Sequence, residues 1–153
     1  LVLDDPQHIP EAVTSLGRIG IDRVEGILAG GIEAWQNQGL PIEMMRTIGA
    51  KQCADGIKKK GMHVLDVRDD NEREEKHIPG SLHTFVGYLE GDIPQLPKED
   101  KLVVHCSVGH RAGLAASILK RNGFTNVYNL LGGIQAWEAL NLPLDKPSHD
   151  KFQ

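Results

Sequence analysis

Short apolar runs alternate along the chain with stretches whose apolar positions recur at helical spacing. Ala50, Cys53, Ala54 and Ile57 fall three or four residues apart and predict a short helix with one buried face. His63-Val64-Leu65-Asp66-Val67 is a brief apolar run and predicts a buried strand. Residues 68–76 are polar and predict a helix, closed by a turn at His77-Ile78-Pro79-Gly80. Leu102-Val103-Val104-His105 predicts a second buried strand. From Ala112 to Asn122 the pattern is that of an amphipathic helix, with Gly123 at the position of a C-terminal cap. Asn126-Val127-Tyr128-Asn129-Leu130 predicts a third strand, followed by Gly132-Gly133 and a last helix through Trp137. Continuous apolar strands alternating with helices predict an α/β fold. Its central sheet should be largely parallel and flanked by helices on both faces.

The same pattern occurs twice. Gly20-Ile21-Asp22-Arg23-Val24 matches Gly123-Phe124-Thr125-Asn126-Val127, and Gly30-Gly31-Ile32-Glu33-Ala34-Trp35 matches Gly132-Gly133-Ile134-Gln135-Ala136-Trp137. The register continues to Leu40-Pro41 against Leu142-Pro143, and upstream Leu1-Val2-Leu3 lies against Leu102-Val103-Val104. A spacing of roughly 100 residues is too long for a solenoid and suits duplicated small domains. Residues 1–44 are therefore expected to be the second half of a degenerate copy, 45–145 a complete one, and 146–153 a tail. Leu1-Val2-Leu3 reads as a buried strand already under way with no initiating Met, so the chain is expected to be cut from something longer.

Composition narrows the classes. The 153 residues carry a formal net charge of −4, which argues against a nucleic-acid binder. The GxxG-like Gly17-Arg18-Ile19-Gly20 is accordingly read as chance. No apolar run approaches the roughly 20 residues of a membrane span, and no leader pattern opens the chain. No membrane association is expected. Two cysteines, Cys53 and Cys106, are too few for a disulfide framework and point to a reducing, cytoplasmic setting. The seven histidines (8, 63, 77, 83, 105, 110 and 149) show no metal-ligand spacing, so no metal site is expected.

The chemistry concentrates in His105-Cys106-Ser107-Val108-Gly109-His110-Arg111-Ala112-Gly113. A cysteine directly after a buried strand, with a helix about five residues on, sits at the carboxyl edge of a parallel sheet, where α/β sites form. Loop N–H groups and the positive helix end can face an anion there and favour the thiolate, the nucleophilic form. Arg111 adds a fixed charge and a fork of donors. Cys53 reads as packing, His105 as structural, His77 as fixing the turn into Pro79, and His110 as loop or solvent.

Val64-Leu65-Asp66-Val67-Arg68, then Glu72, then His77-Ile78-Pro79-Gly80-Ser81, then residues 106–111, and finally Leu131-Gly132-Gly133-Ile134-Gln135-Ala136-Trp137 resemble, in that order, the rhodanese domain over residues 46–144. The resemblance implies a sulfurtransferase with Cys106 as the persulfide-carrying nucleophile. It implies that Ser107, Val108, Gly109, His110 and Arg111 cradle the persulfide and an anionic substrate. Asp66, Arg68 and Glu72 fall where the family keeps a structural ion pair and strand-end hydrogen bonds, so they are expected to support the site. Arg73 replaces a usual aromatic, which is expected to expose its helix. The first copy has Asp4-Asp5-Pro6 where the second has His105-Cys106-Ser107, so it is expected to be catalytically silent.

A silent copy before an active one further resembles bacterial proteins in which a metallo-β-lactamase-fold persulfide dioxygenase precedes rhodanese modules. Any iron would then belong upstream, and no cofactor is expected in this chain. The implied partners are thiosulfate, glutathione persulfide and sulfite. A severed half-domain leaves faces uncovered, which points to a homodimer. Related phosphatases and arsenate reductases place five residues between cysteine and arginine, whereas four lie between Cys106 and Arg111. That shorter loop opposes a phosphatase, and a non-catalytic docking module is the remaining alternative.

Overall fold

A computed structural model of the chain describes residues 1–18, 20 and 22–146. Ile19 and Ile21 of the repeat, and the predicted tail beyond Lys146 with His149, lie outside the described residues. The chain divides into two compact units, Leu1–Met44 and Met45–Gln153.

The second unit is built on a five-stranded parallel sheet of order β1-β5-β4-β2-β3, with β1 Arg46–Ile48, β2 His63–Asp66, β3 Leu82–His83, β4 Leu102–His105 and β5 Val127–Leu130. The sequence pattern finds the three middle strands and misses the two edges. At three and two residues, β1 and β3 are too short to show a period, and each has one neighbour. The helices are α3 Ala50–Lys58, α4 Asp70–Glu75, α5 His110–Arg121 and α6 Gly133–Ala139.

Alternation along the middle strands divides the core. Leu65, Leu102, Val104 and Val127 pack with the Ala112, Ala115 and Leu119 face of α5. Val64, Val103 and Leu130 face the other way and pack with Cys53, Ala54 and Trp137 of α3 and α6. Helices on both faces follow from this division, and the α/β class expected from the pattern is the one observed. Cys53 is fully buried, and burial pushes its thiol up to about 11 against the charge of Lys101.

The first unit contains a short 3-10 turn at Pro6–His8, then α1 Ile9–Arg18 and α2 Gly31–Asn37. The strand expected at residues 1–3 is absent. Leu1 donates through its amino group to the Gly26 carbonyl at 2.7 Å and accepts from the Leu28 N–H at 2.8 Å. One rung without flanking strands does not make a ladder.

The turns before α2 and α6 nevertheless share one geometry. Gly30 and Gly132 are left-handed at φ 76° and 73°, and Gly31 and Gly133 follow at 59° and 57°. The Trp35 indole donates to the Pro41 carbonyl at 3.0 Å, as Trp137 does to Pro143 at 2.8 Å. What differs is cover. Ile134 is 2% exposed, whereas Ile32 is 41% exposed.

Candidate active site

Cys106 follows β4, the central strand, and is 1% exposed. Its Sγ accepts a hydrogen bond from the Gly109 N–H at 3.1 Å. Gly109 stands at φ 127°, a left-handed-side value that favours glycine, and caps α5. This cap starts the helix at His110, two residues before the apolar pattern does. His110 and Arg111 therefore lie on the first turn of α5 rather than in a loop. Val108 and His110 are exposed, and Ser107 is partly buried.

Two other elements shape this turn. The α6 N–H groups of Ile134 and Gln135 donate to the carbonyls of Cys106 (2.9 Å) and Ser107 (3.2 Å). A Cβ on Gly133 would overlap the Cys106 carbonyl oxygen and lie 2.6 Å from that of Ser107, so only glycine permits the approach. In a trans peptide the N–H points opposite its carbonyl, so the N–H groups of Ser107 and Val108 are turned away from α6. From β5, the Asn129 side-chain amide donates to the Gly109 carbonyl at 3.0 Å, while its Oδ1 is buried without a partner. Asn129 carries no sequence signal, because a lone Asn in a strand has no spacing signature.

Glu72 and Arg111 meet from 39 positions apart. Arg111 Nη1 donates to Glu72 Oε2 at 2.5 Å and Nη2 to Oε1 at 2.8 Å, a bidentate pair. The Ser107 hydroxyl donates to Glu72 Oε1 at 2.6 Å and accepts from Arg111 Nη2 at 2.9 Å. Hydrogen bonds from Arg111 hold the Glu72 carboxyl well below its ordinary range, and the same bonds raise Arg111. Glu72 also completes a capping box with Asp69 at the start of α4. The supporting carboxylate thus belongs to the cysteine turn and stands apart from the Asp66–Arg68 pair.

That pair lies beneath the site. Asp66 and Arg68 are 0% and 2% exposed and joined at 2.6 Å, and Arg68 also donates to the Lys76 carbonyl. Burial pushes the Asp66 carboxyl up, but hydrogen bonds and charge from Arg68 outweigh it and the net shift is down. Arg73 is drawn in as well, donating to Ser81 Oγ at 2.8 Å and to the Ser81 carbonyl at 2.7 Å. Its side chain is 19% exposed and held by these hydrogen bonds, while α4 as a whole buries no residue. His105 is fully buried, with Nδ1 3.4 Å from the Cys106 carbonyl and Nε2 unpartnered 3.7 Å from Asp66. Burial pushes it down to about 4. Its ring is neutral and enclosed in the core. His77 Nδ1 lies 3.1 Å from the Arg73 carbonyl at the predicted turn.

In the first unit the geometry shifts the expected correspondence. A Cβ on Gly31 would meet the Leu3 carbonyl at 2.7 Å, so Leu3, rather than Asp5, stands under this glycine as Cys106 stands under Gly133. Either residue lacks a thiol. Among the described residues no group of three or more His, Cys, Asp or Glu could hold a metal ion. No helix among them is long and apolar enough to cross a membrane.

A family model for the rhodanese-like domain matches residues 49–140. The thiosulfate sulfurtransferase GlpE of Coxiella burnetii is 32% identical over 96 residues, covering 63% of this chain and 90% of that protein. The putative sulfur carrier protein YrkF of Bacillus subtilis is 35% identical over 78 residues; the match spans 51% of this chain and 42% of that protein. Among solved structures, a rhodanese-related protein from Thermoplasma volcanium is 30% identical with a TM-score of 0.60, covering 65% of this chain and 97% of its own. A protein of unknown function from Rhodopseudomonas palustris, described as a possible tyrosine phosphatase, is 28% identical with a TM-score of 0.59 over 80% of this chain and all of its own.

Proposed function

Because the chain belongs to the rhodanese-like domain family, we propose that it is a sulfurtransferase that carries a sulfane sulfur on Cys106. The observation that supports this reading best is the Gly109 N–H directed at Sγ, with α5 starting at the next residue. The Cys106 thiolate attacks the outer sulfur of thiosulfate or of a low-molecular-weight persulfide. The donor's S–S bond breaks, and sulfite or a thiolate leaves with the bonding pair. The Cys106 persulfide then passes its outer sulfur to an acceptor thiolate or to cyanide, and the thiolate returns. Gly109, Ser107 and the first turn of α5 orient the sulfur, with Val108 and His110 at the exposed rim. Asp66 and Arg68 support the turn from below. The reaction uses no cofactor.

Replacing Cys106 with Ser is expected to abolish the adduct of about 32 Da, one sulfur atom, and to cut thiocyanate formation about 10³-fold or more. Unchanged thiocyanate formation would sink the assignment. The phosphatase reading meets a short turn whose arginine is engaged by Glu72, and aryl-phosphate hydrolysis by Cys106 would revive it. Two free cysteines fit a reducing, cytoplasmic setting. The order of a thiol-free copy before a thiol-bearing one supports a place behind a persulfide dioxygenase of metallo-β-lactamase fold. The intact mass of the native gene product tests that placement.

A further inference from the structure

Arg111 brings the fixed positive charge of residues 106–111, and that charge is already spent. Its fork is bidentate on Glu72, with Nη2 shared with Ser107. The Ser107 proton is directed at Glu72 too. Asp69 Oδ2 lies 4.0 Å from Arg111 Nη1, so two carboxylates surround one guanidinium. The capping box on α4 holds Glu72 in place, through Glu72 N–H to Asp69 Oδ1 at 3.0 Å and Asp69 N–H to Glu72 Oε2 at 3.3 Å. Next to Ser107 the turn presents Val108, an apolar side chain 45% exposed. The side-chain charge around Arg111 is therefore net negative, and the rim beside the nucleophile is partly apolar.

We infer that Glu72 is a specificity-determining residue, which makes the site prefer organic persulfides over the thiosulfate dianion. This rests on the sulfurtransferase reading and adds the donor class to it. Thiosulfate must bring a sulfonate group, with its share of two negative charges, to within a bond or two of Cys106. It must there either face the Glu72 carboxylate or displace it from charge-assisted bonds. A persulfide brings a carbon chain behind its sulfane sulfur. Attack by the Cys106 thiolate breaks the persulfide S–S bond, and the leaving thiolate takes the proton the persulfide carried. No oxidant or reductant is needed.

The test follows loading of Cys106 by intact mass, with thiosulfate and with glutathione persulfide as donors, in the wild type and in Glu72→Gln. Glutamine keeps the capping geometry and removes the charge. The wild type is expected to load from glutathione persulfide at least about tenfold faster than from thiosulfate. Glu72→Gln is expected to raise the thiosulfate-to-persulfide rate ratio about tenfold. Equal loading from both donors in the wild type overturns the inference whether or not the variant folds, and so does an unchanged ratio in a folded variant. No adduct from either donor in the wild type overturns the sulfurtransferase reading with it.

Discussion

His105 shows how a residue can matter without touching chemistry. It is neutral because burial makes its charged form costly, and nearby Asp66 does not compensate. Its folded value of about 4 lies below the ordinary histidine value of 6.5, so between these two the unfolded chain binds the extra proton. Stability from this group is thus fully present above pH 6.5 and is lost as pH falls toward 4, by about 3 kcal/mol at most. Urea melts of His105→Gln between pH 7 and 4.5 are expected to show a flatter acid limb than the wild type. Parallel limbs would assign the acid loss elsewhere. The individual residues differ in how far the sequence reveals them. Cys106 is legible because it follows an apolar run and precedes a glycine and an arginine. The partnership of Glu72 with Ser107 and Arg111 is not, since nothing in local spacing tells which of several acidic residues near position 72 will cross to α5. The unpartnered Oδ1 of Asn129 is likewise a tertiary fact.

At the scale of elements, the turn around Cys106 is held less by its own sequence than by α5 and α6. The periodic signal of α5 shows where its apolar face begins, at Ala112, which is buried, but the hydrogen-bonded helix begins at the cap. That offset of two residues moves Arg111 onto a helix turn, where it can reach Glu72. The glycine pair before α6 is legible as a motif, yet its purpose is visible only in the contact between Gly133 and the carbonyls of Cys106 and Ser107. Gly133→Ala combines a steric overlap with backbone strain at φ 57°, and is expected to cost about 2–4 kcal/mol. It is also expected to speed alkylation of Cys106, now 1% exposed, by iodoacetamide. A variant with wild-type stability and an unreactive thiol would show that α6 does not hold the turn.

For the whole molecule, the two units differ in what they bury. Every buried apolar side chain among the described residues lies at position 48 or later, and all but Ile134 belong to the two clusters that sandwich the sheet. The first unit repeats the glycine turn, the short helix and the indole bond without acquiring a buried apolar side chain among its described residues. Hydrophobic burial is the main driving force for folding, so the second unit is expected to hold its own stability. A fragment of residues 45–153 should melt within a few degrees of the full chain (about 1 kcal/mol or less) and still load sulfur on Cys106. Loss of cooperative melting in that fragment would show that residues 1–44 are part of the folding unit. The matched turns before α2 and α6 are legible because glycines and tryptophans mark them; the missing ladder at residues 1–3 is not, because a strand needs partners that local sequence does not reveal. One consequence concerns synthesis. The carbonyls of Cys106 and Ser107 are anchored by N–H groups of residues 134 and 135, which leave the ribosome nearly 30 residues after the cysteine does. Until they emerge, the nascent thiol lacks this anchor, and it is most vulnerable to oxidants before the protein is finished.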